Sequence, residues 1–202
     1  MPVACVSTGV KHLHHKALSF DIGVYFEANG HGTIIYSTDA KKKINDASKD
    51  ESLTQEQRNA AKLLLQTIDL TNETVGDAIS DLLLVETVLH SKGWNLHDWL
   101  ATYTDLPNVL MKIKVEDRNV ITTTDAERVC ITPQGLQDAI KEIVDKYNKG
   151  RSFVRPSGTE DVVRVYAEAD TKENALQLAL EVANVVYDMA GGVGERPKMA
   201  EI

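Results

Sequence analysis

The sequence predicts an α/β first part followed by an α+β second part, the latter a small antiparallel sheet with helices on one face. In residues 1–106, short apolar strands alternate with segments of helical periodicity. The segment Asp105-Leu106-Pro107-Asn108 then marks a boundary, because proline removes a backbone donor and disfavours helix in the residue before it. Beyond it the pattern is strand, helix, strand, strand, helix, and consecutive strands joined by a short turn favour an antiparallel pair. We therefore expect two domains, residues 1–106 and 107–202.

The composition of the chain excludes several classes of protein. Of 202 residues, 43% are apolar and 26% charged, which is ordinary for a globular protein and excludes disorder as the main state. The net charge of −8 disfavours nucleic acid and anionic membranes as partners. The two cysteines lack paired spacing, which excludes a disulfide scaffold and a Cys-rich zinc site. No apolar run is long enough to span a bilayer and no signal peptide is recognisable, so we expect a cytoplasmic protein.

Local signals in the first domain define its elements. The predicted strands lie at residues 3–6, 22–26 and 33–36. The predicted helix signals are a start at Lys11, a capping box at Thr54, a cap at Thr74 with Asp77, a stop at Gly93 and a short helix near residues 96–101. The polar residues 37–57 indicate a solvated connection.

The second domain has equally local signals. Strands are predicted at residues 109–116, 152–154 and 162–168, and helices after Thr132-Pro133 and after Thr171, the last ending before Gly191-Gly192. The last ten residues indicate a loose tail.

The segment Arg155-Pro156-Ser157-Gly158-Thr159-Glu160-Asp161-Val162-Val163-Arg164 is the best candidate for ligand binding. Gly158 permits positive φ, so that successive amides can face an anion. Ser157 and Thr159 add hydroxyl donors, and Arg155 offers a bidentate fork for phosphate. Because side chains alternate along a strand, the position of Arg164 in the next strand allows its side chain to lie beside the turn. The alternative is a tight turn with incidental charges, which Glu160 and Asp161 favour.

The segment Glu27-Ala28-Asn29-Gly30-His31-Gly32 is a second candidate. An acid and an amide two residues apart can accept from and donate to vicinal sugar hydroxyls, while His31 can relay a proton near neutral pH. The alternative is a plain hairpin turn at Asn29-Gly30.

A histidine cluster is the third candidate. His12, His14 and His15 suggest metal ligation, as in a metal-dependent hydrolase, but no further ligand set follows at a recognisable spacing. With Lys11 and Lys16 beside them, a basic helix start that faces an anion is favoured instead.

Three segments of the sequence resemble the α-D-phosphohexomutase family. They are Thr8 to Ala17 with Phe20 to Gly32, Phe153 to Glu168, and Ala190 to Pro197, and the resemblance covers nearly the whole chain. It implies four domains around one cleft, of which this chain would hold part of the third, with the sugar-binding loop, and all of the fourth, with the phosphate-binding loop.

The resemblance also implies an activity. The family interconverts sugar 6-phosphates and 1-phosphates, and Asn29, where other branches tend to have serine, indicates N-acetylglucosamine phosphate as the substrate, on the route to UDP-N-acetylglucosamine. By analogy Glu27, Ala28 and Asn29 hold ring hydroxyls. The distal phosphate would be held by Arg155, Pro156, Ser157, Gly158, Thr159 and Arg164. His31 would be the catalytic proton relay, with Lys11 and His14 as further candidates near the reacting end.

Two elements of that family are missing from the sequence. There is no Ser-His dipeptide of the phosphoserine loop and no Asp-x-Asp of the magnesium loop. The resemblance therefore implies Mg²⁺ in the complete enzyme but no metal bound by this chain, which alone should be inactive and should need upstream domains as partners. The alternative is a non-catalytic phosphosugar-binding module.

Overall fold

The computed structural model describes residues 2–198 and divides into two compact units between Tyr103 and Thr104. Helices and small antiparallel sheets occur in both parts, so the mixed fold class predicted from the sequence is confirmed. The sequence prediction set its domain boundary at Pro107, a few residues after this division. Among residues 2–198, no helix combines the length and apolar character that crossing a membrane requires.

The first unit is a hairpin accompanied by helices. Its elements are α1 (Val10–Ala17), β1 (Ile22–Phe26), β2 (Gly32–Tyr36), α2 (Thr38–Lys49), α3 (Gln55–Leu70), α4 (Ala78–Lys92) and α5 (Leu96–Leu100). Strands β1 and β2 pair antiparallel, with Ile22 opposite Tyr36 and Phe26 opposite Gly32. Because side chains alternate along β1, Tyr25 faces inward and packs with Ala17 of α1 and Ile35 of β2. This packing fixes where the loop between the strands begins and ends.

Several predictions for the first unit need correction. Residues 3–6 form no strand in the structure. The expected solvated connection is instead the helix α2, because the Ser37 side chain accepts from the Ala40 amide and Ala40 and Ser48 are buried. Asp77 alone caps α4, and Thr74 lies before that cap. The capping box at Thr54 and the left-handed Gly93 are confirmed.

The apolar stripe of α4 has an unexpected environment. Of its large side chains, Leu89 is buried, whereas Ile79 is 71% exposed and Leu82 is 59% exposed. This unit therefore leaves most of the large apolar side chains of α4 uncovered.

The second unit is a three-stranded antiparallel sheet covered on one face by helices. Its elements are β3 (Asn108–Lys114), β4 (Thr122–Thr124), β5 (Val129–Thr132), α6 (Leu136–Val144), β6 (Arg151–Pro156), β7 (Val162–Glu168) and α7 (Lys172–Met189). The main sheet has the order β3-β7-β6, so β7 is central. Val163 and Val165 of β7 are fully buried in one core with Val182 of α7. The even-numbered residues of β7 therefore lie on the opposite face, away from this core.

The second unit also departs from prediction in three places. The hairpin of β4 and β5 was not expected from the sequence. Thr132 belongs to β5, and α6 begins after Gly135, whose φ of 88° only glycine adopts readily; Pro133 therefore does not open the helix. The tail is held at Arg196, which contacts Asn184 and Asp188 of α7. Residues 199–202 of the predicted loose tail lie outside the described residues.

Candidate functional site

The turn between β6 and β7 is closed by its own backbone. The Ser157 amide donates to the Val162 carbonyl at 2.8 Å, and the Val162 amide donates to the Glu160 carbonyl at 2.8 Å. The Ser157 side chain is buried, and its Oγ accepts from the Thr159 amide at 3.5 Å. At the outer edge, the Asp161 carbonyl accepts from the Val115 amide at 3.1 Å. The turn is thus closed between the ends of β6 and β7 and is also hydrogen-bonded to Val115, the residue that follows β3.

Arg155 and Arg164 lie directly opposite each other where this turn begins and ends. They are paired residues in the β6–β7 register, so both side chains project from the same face of the sheet. Both are half-buried, and among residues 2–198 neither has a carboxylate partner within 4.0 Å. Two unneutralised guanidinium groups on adjacent strands repel one another, and an anion between them would relieve that repulsion.

Gly158 does not behave as predicted. It is absent from the glycines with positive φ among the described residues, so the amide nest expected from a left-handed Gly158 is not formed in this conformation. Instead, a Cβ added at Gly158 would meet nothing within 4 Å. The open space leaves room for a ligand to approach the backbone there. Pro156 ends β6, opposite Val163, and stiffens the entry to the turn.

The loop between β1 and β2 brings its predicted polar residues together. The Glu27 amide donates to the His31 carbonyl at 2.9 Å, and Gly30 adopts φ of 84°. The Asn29 Oδ1 accepts from the His31 amide at 2.8 Å, while Asn29 Nδ2 donates to Glu27 Oε2 at 3.4 Å. His31 Nδ1 lies 3.8 Å from the same Glu27 oxygen. The segment is therefore a hairpin turn, as the alternative predicted, and it also presents an acid, an amide and an imidazole in one cluster.

Ala28 completes this loop at its exposed tip, between Glu27 and Asn29. Its small side chain leaves the backbone of the tip open to a ligand.

The support for this loop comes from residues that the sequence analysis missed. The Thr33 hydroxyl donates to the Asn72 carbonyl at 2.8 Å, and the Glu73 carboxylate accepts from the Tyr36 amide at 3.0 Å. A Cβ at Gly76 would lie 2.6 Å from His31 Cδ2 and 2.8 Å from the Gly32 carbonyl oxygen. These contacts join the segment before α4 to β2, about 40 residues earlier in the chain. No local pattern indicates such contacts.

A carboxyl group on α4 also affects the loop. Burial raises the pKa of Asp81, as does the nearby charge of Asp77, while His31 acts in the opposite direction. Asp81 is therefore an additional acid in the neighbourhood of His31, and sequence spacing did not identify it.

The basic residues of α1 do not form a single site. His14 Nδ1 lies 2.8 Å from the Tyr25 hydroxyl, and the two rings meet edge to face with centroids 5.6 Å apart. His14 therefore packs against the hairpin, whereas Lys11, His12 and His15 are exposed. Within residues 2–198, no three His, Cys, Asp or Glu side chains are placed to hold a metal ion. The structure gives the metal-ligation alternative no support in the described part of the chain.

Both units match domains of known enzymes. Residues 1–94 match the family described as phosphoacetylglucosamine mutase AMG1, domain III, and residues 110–185 match the phosphoglucomutase/phosphomannomutase C-terminal domain. The chain is 59% identical over 198 residues to the human phosphoacetylglucosamine mutase, covering 98% of this chain and 36% of the human protein. It is 53% identical to the Candida albicans phosphoacetylglucosamine mutase, covering 92% of this chain and 34% of that protein. The chain thus spans about a third of the length of these relatives.

Solved structures give the same result. An Aspergillus fumigatus N-acetylphosphoglucosamine mutase, in complex with GlcNAc-6P and magnesium, matches with a TM-score of 0.87 and 52% identity, over 94% of this chain and 35% of that one. An N-acetylglucosamine-phosphate mutase in its product complex, a member of the α-D-phosphohexomutase superfamily, matches with a TM-score of 0.85 and 54% identity, over 92% of this chain and 34% of that one. The chain therefore belongs to the α-D-phosphohexomutase family, in which it corresponds to the third and the C-terminal domains of phosphoacetylglucosamine mutases.

Proposed function

We propose that this chain is the substrate-holding part of a phosphoacetylglucosamine mutase, the isomerase that interconverts N-acetylglucosamine 6-phosphate and 1-phosphate for UDP-N-acetylglucosamine synthesis. The observation that carries the proposal is the pairing of Arg155 with Arg164 across β6 and β7, beside a turn that holds Ser157 and Thr159. The proposal includes a cytoplasmic location, the remaining mutase domains as partners, and no role for nucleic acid.

The Arg155–Arg164 turn is assigned the phosphate that is not being transferred. A phosphate dianion needs donors and positive charge from several directions, and arginine supplies a planar fork of N–H groups that matches it. Arg155 and Arg164 provide two such forks without competing carboxylates, while Thr159 provides a hydroxyl at the exposed side of the turn. Such a site recognises the dianion whichever carbon of the sugar carries it.

The Glu27–Asn29 loop is assigned the sugar hydroxyls. A mutase must accept its substrate in two orientations, so hydroxyls at different ring positions have to be met by the same side chains. Glu27 only accepts hydrogen bonds, whereas the Asn29 amide both donates and accepts. The two side chains already contact each other at 3.4 Å, which holds them together for this task. His31, beside the Glu27 carboxylate, is assigned as proton relay.

We assign phosphoryl transfer itself to the domains of a complete mutase that lie outside the third of its length to which this chain corresponds. The Aspergillus relative was solved with magnesium, but residues 2–198 here offer no cluster of ligands that fits a metal ion. When bound in the complete enzyme, Mg²⁺ would neutralise charge on the transferring phosphoryl group. The chain alone is therefore expected to bind phosphosugar without converting it.

Calorimetric titration with N-acetylglucosamine 6-phosphate tests the proposal. The unaltered chain should bind saturably, Arg155→Ala should weaken binding by at least about tenfold, and Arg118→Ala, a charge-matched change outside the turn, should bind normally. A coupled assay for N-acetylglucosamine 1-phosphate should detect no product. Equal binding by Arg155→Ala would refute the phosphate assignment, and turnover by the chain alone would refute the division of labour.

A further inference from the structure

A row of cations crosses the main sheet of the second unit. Arg164 on the central strand β7 is paired on one side with Arg155 of β6 and on the other with Lys112 of β3. Lys112 thus stands in the same row as the two arginines assigned to phosphate, although it is distant from them in sequence.

All three side chains lie on the same face of the sheet. Directly paired residues of neighbouring strands project to the same side. Ile113, which follows Lys112, and Val163, which precedes Arg164, pair with each other and are buried in the core on the opposite face. Lys112 itself is exposed, and the two arginines are half-buried, so the row lies on the face that α7 does not cover.

No cation of this row forms an ion pair within the described part of the unit. Among the described residues, Lys112 has no carboxylate within 4.0 Å, as is also the case for Arg155 and Arg164. Arg151, on the same face at the far end of β6, is different, because its Nε lies 2.7 Å from the Glu168 carboxylate. Like charges directly opposite on a sheet are destabilising. The chain has 30 acidic residues, and one of them pairs with Arg151 at the end of this face. Within residues 2–198, none pairs with the three cations of the row.

We propose that Lys112 is a third cation of the phosphate site and contributes to binding the phosphosugar dianion. The inference rests on the proposed function of the Arg155–Arg164 turn and adds a residue from the edge strand β3. Lysine carries a compact charge on a flexible four-carbon stem, so its ammonium group can follow a phosphate held by the more rigid guanidinium forks. The additional charge favours the dianion over the monoanion and over uncharged sugars.

Titration with N-acetylglucosamine 6-phosphate at low and moderate salt tests this role. Lys112→Gln is expected to weaken binding about 3- to 10-fold and to reduce its salt dependence, since it removes one exposed charge contact. Lys112→Arg, which keeps the charge, should restore most of the affinity. Lys149→Gln, which removes the same charge before β6 at the end remote from the turn, should bind like the unaltered chain.

Thermal unfolding in phosphate-free buffer gives a second readout. Lys112→Gln should raise the melting temperature of the second unit by about 1–3 °C, because it relieves repulsion within the row. A stabilised variant with weaker binding separates a binding role from a structural one. A lower melting temperature together with weaker binding would overturn the proposal, because it would show that the lysine stem acts through packing.

The Arg155→Ala variant separates the role of Lys112 from the phosphate-binding role of the turn. If Arg155→Ala loses binding while Lys112→Gln binds like Lys149→Gln, the role of Lys112 is refuted and the proposed function stands. If Arg155→Ala binds normally and Lys112→Gln does not, the phosphate assignment of the turn fails while Lys112 remains an anion-binding residue. If neither change affects binding, both are refuted.

Discussion

Replacing Gly76 by alanine is expected to destabilise the first unit and to displace the Glu27–His31 loop. The added Cβ would lie 2.6 Å from His31 Cδ2 and 2.8 Å from the Gly32 carbonyl oxygen. Ordinary contacts between such atoms are about 3.5 Å or longer. The His31 ring can move, since its side chain is 49% exposed. The Gly32 carbonyl cannot move easily, because Gly32 pairs with Phe26 in the hairpin and the hydroxyl of the next residue, Thr33, is hydrogen-bonded to the Asn72 carbonyl.

The magnitude follows from two opposing effects. Overpacking of this kind costs about 1–3 kcal/mol. Replacing glycine by alanine also restricts the unfolded chain, which recovers about 0.4–1 kcal/mol where the backbone is not strained. Gly76 is not among the glycines with positive φ, so no further strain is added. The net loss is about 1–2 kcal/mol, which lowers the urea midpoint by about 0.5–1 M at ordinary slopes.

Urea unfolding followed by tryptophan fluorescence is the assay. Both tryptophans of the chain, Trp94 and Trp99, lie in the first unit, so the signal reports that unit alone. Gly158→Ala, whose Cβ meets nothing within 4 Å, serves as the steric control, followed by circular dichroism. An unchanged midpoint for Gly76→Ala, with unshifted His31 resonances, would refute the idea that this contact positions the loop.

Three further results are expected. Burial and the 2.6 Å hydrogen bond to Glu181 raise the pKa of Tyr147 to about 12. The stabilisation that comes from this raised pKa is therefore complete below pH 10 and is lost as the pH rises to 12. Glu181→Gln should lower the pKa of Tyr147 in an alkaline absorbance titration. An unchanged pKa would contradict the role given to the Glu181 hydrogen bond. The first unit, with its smaller core, should unfold before the second, so fluorescence should show a lower urea midpoint than circular dichroism; coincident transitions would argue against this. The exposed apolar face of α4 should promote self-association, and Leu82→Lys should reduce it in sedimentation velocity; a monodisperse unaltered monomer would contradict this expectation.

Elements that depend on short-range signals could be predicted from the sequence. The Thr54 capping box, the left-handed Gly93 and the Thr171 cap each satisfy backbone groups within a few residues, so their pattern specifies a helix end directly. Strand β7 alternates buried and partly exposed residues because one of its faces packs on α7. The fold class followed from these elements and their order.

The elements that were not predicted from the sequence, α2 and β5, depend on contacts with other elements. Helix α2 is highly polar, and only its cap at Ser37 and its packing on α3 make it a helix. Strand β5 is selected by its pairing with β4 and by the Gln137 side chain, which accepts from the Cys130 amide. The packing of α2 on α3 and the contact between Gln137 and β5 come from tertiary structure, which residue patterns do not display. The Ser37 cap is a local signal that the sequence analysis did not use.

The candidate sites also combine residues that are contiguous in sequence with residues that only the fold brings close. The two loops are contiguous segments, so their chemistry could be predicted from residue types alone. Gly76, Asp81 and Lys112 reach these loops through folding, and only the structure places them there. The roles assigned to the predicted site residues remain predictions until ligand binding is measured.

Amide resonances recorded by nuclear magnetic resonance during a titration with inorganic phosphate show whether the turn between β6 and β7 binds a phosphate group. We expect the amides of Ser157, Gly158 and Thr159 to shift first and to saturate together, with the side-chain signals of Arg155 and Arg164. Arg155→Ala should abolish these shifts at the same phosphate concentrations. Shifts confined to other parts of the sheet, or none at all up to high phosphate concentrations, would contradict the claim that this turn binds the substrate phosphate.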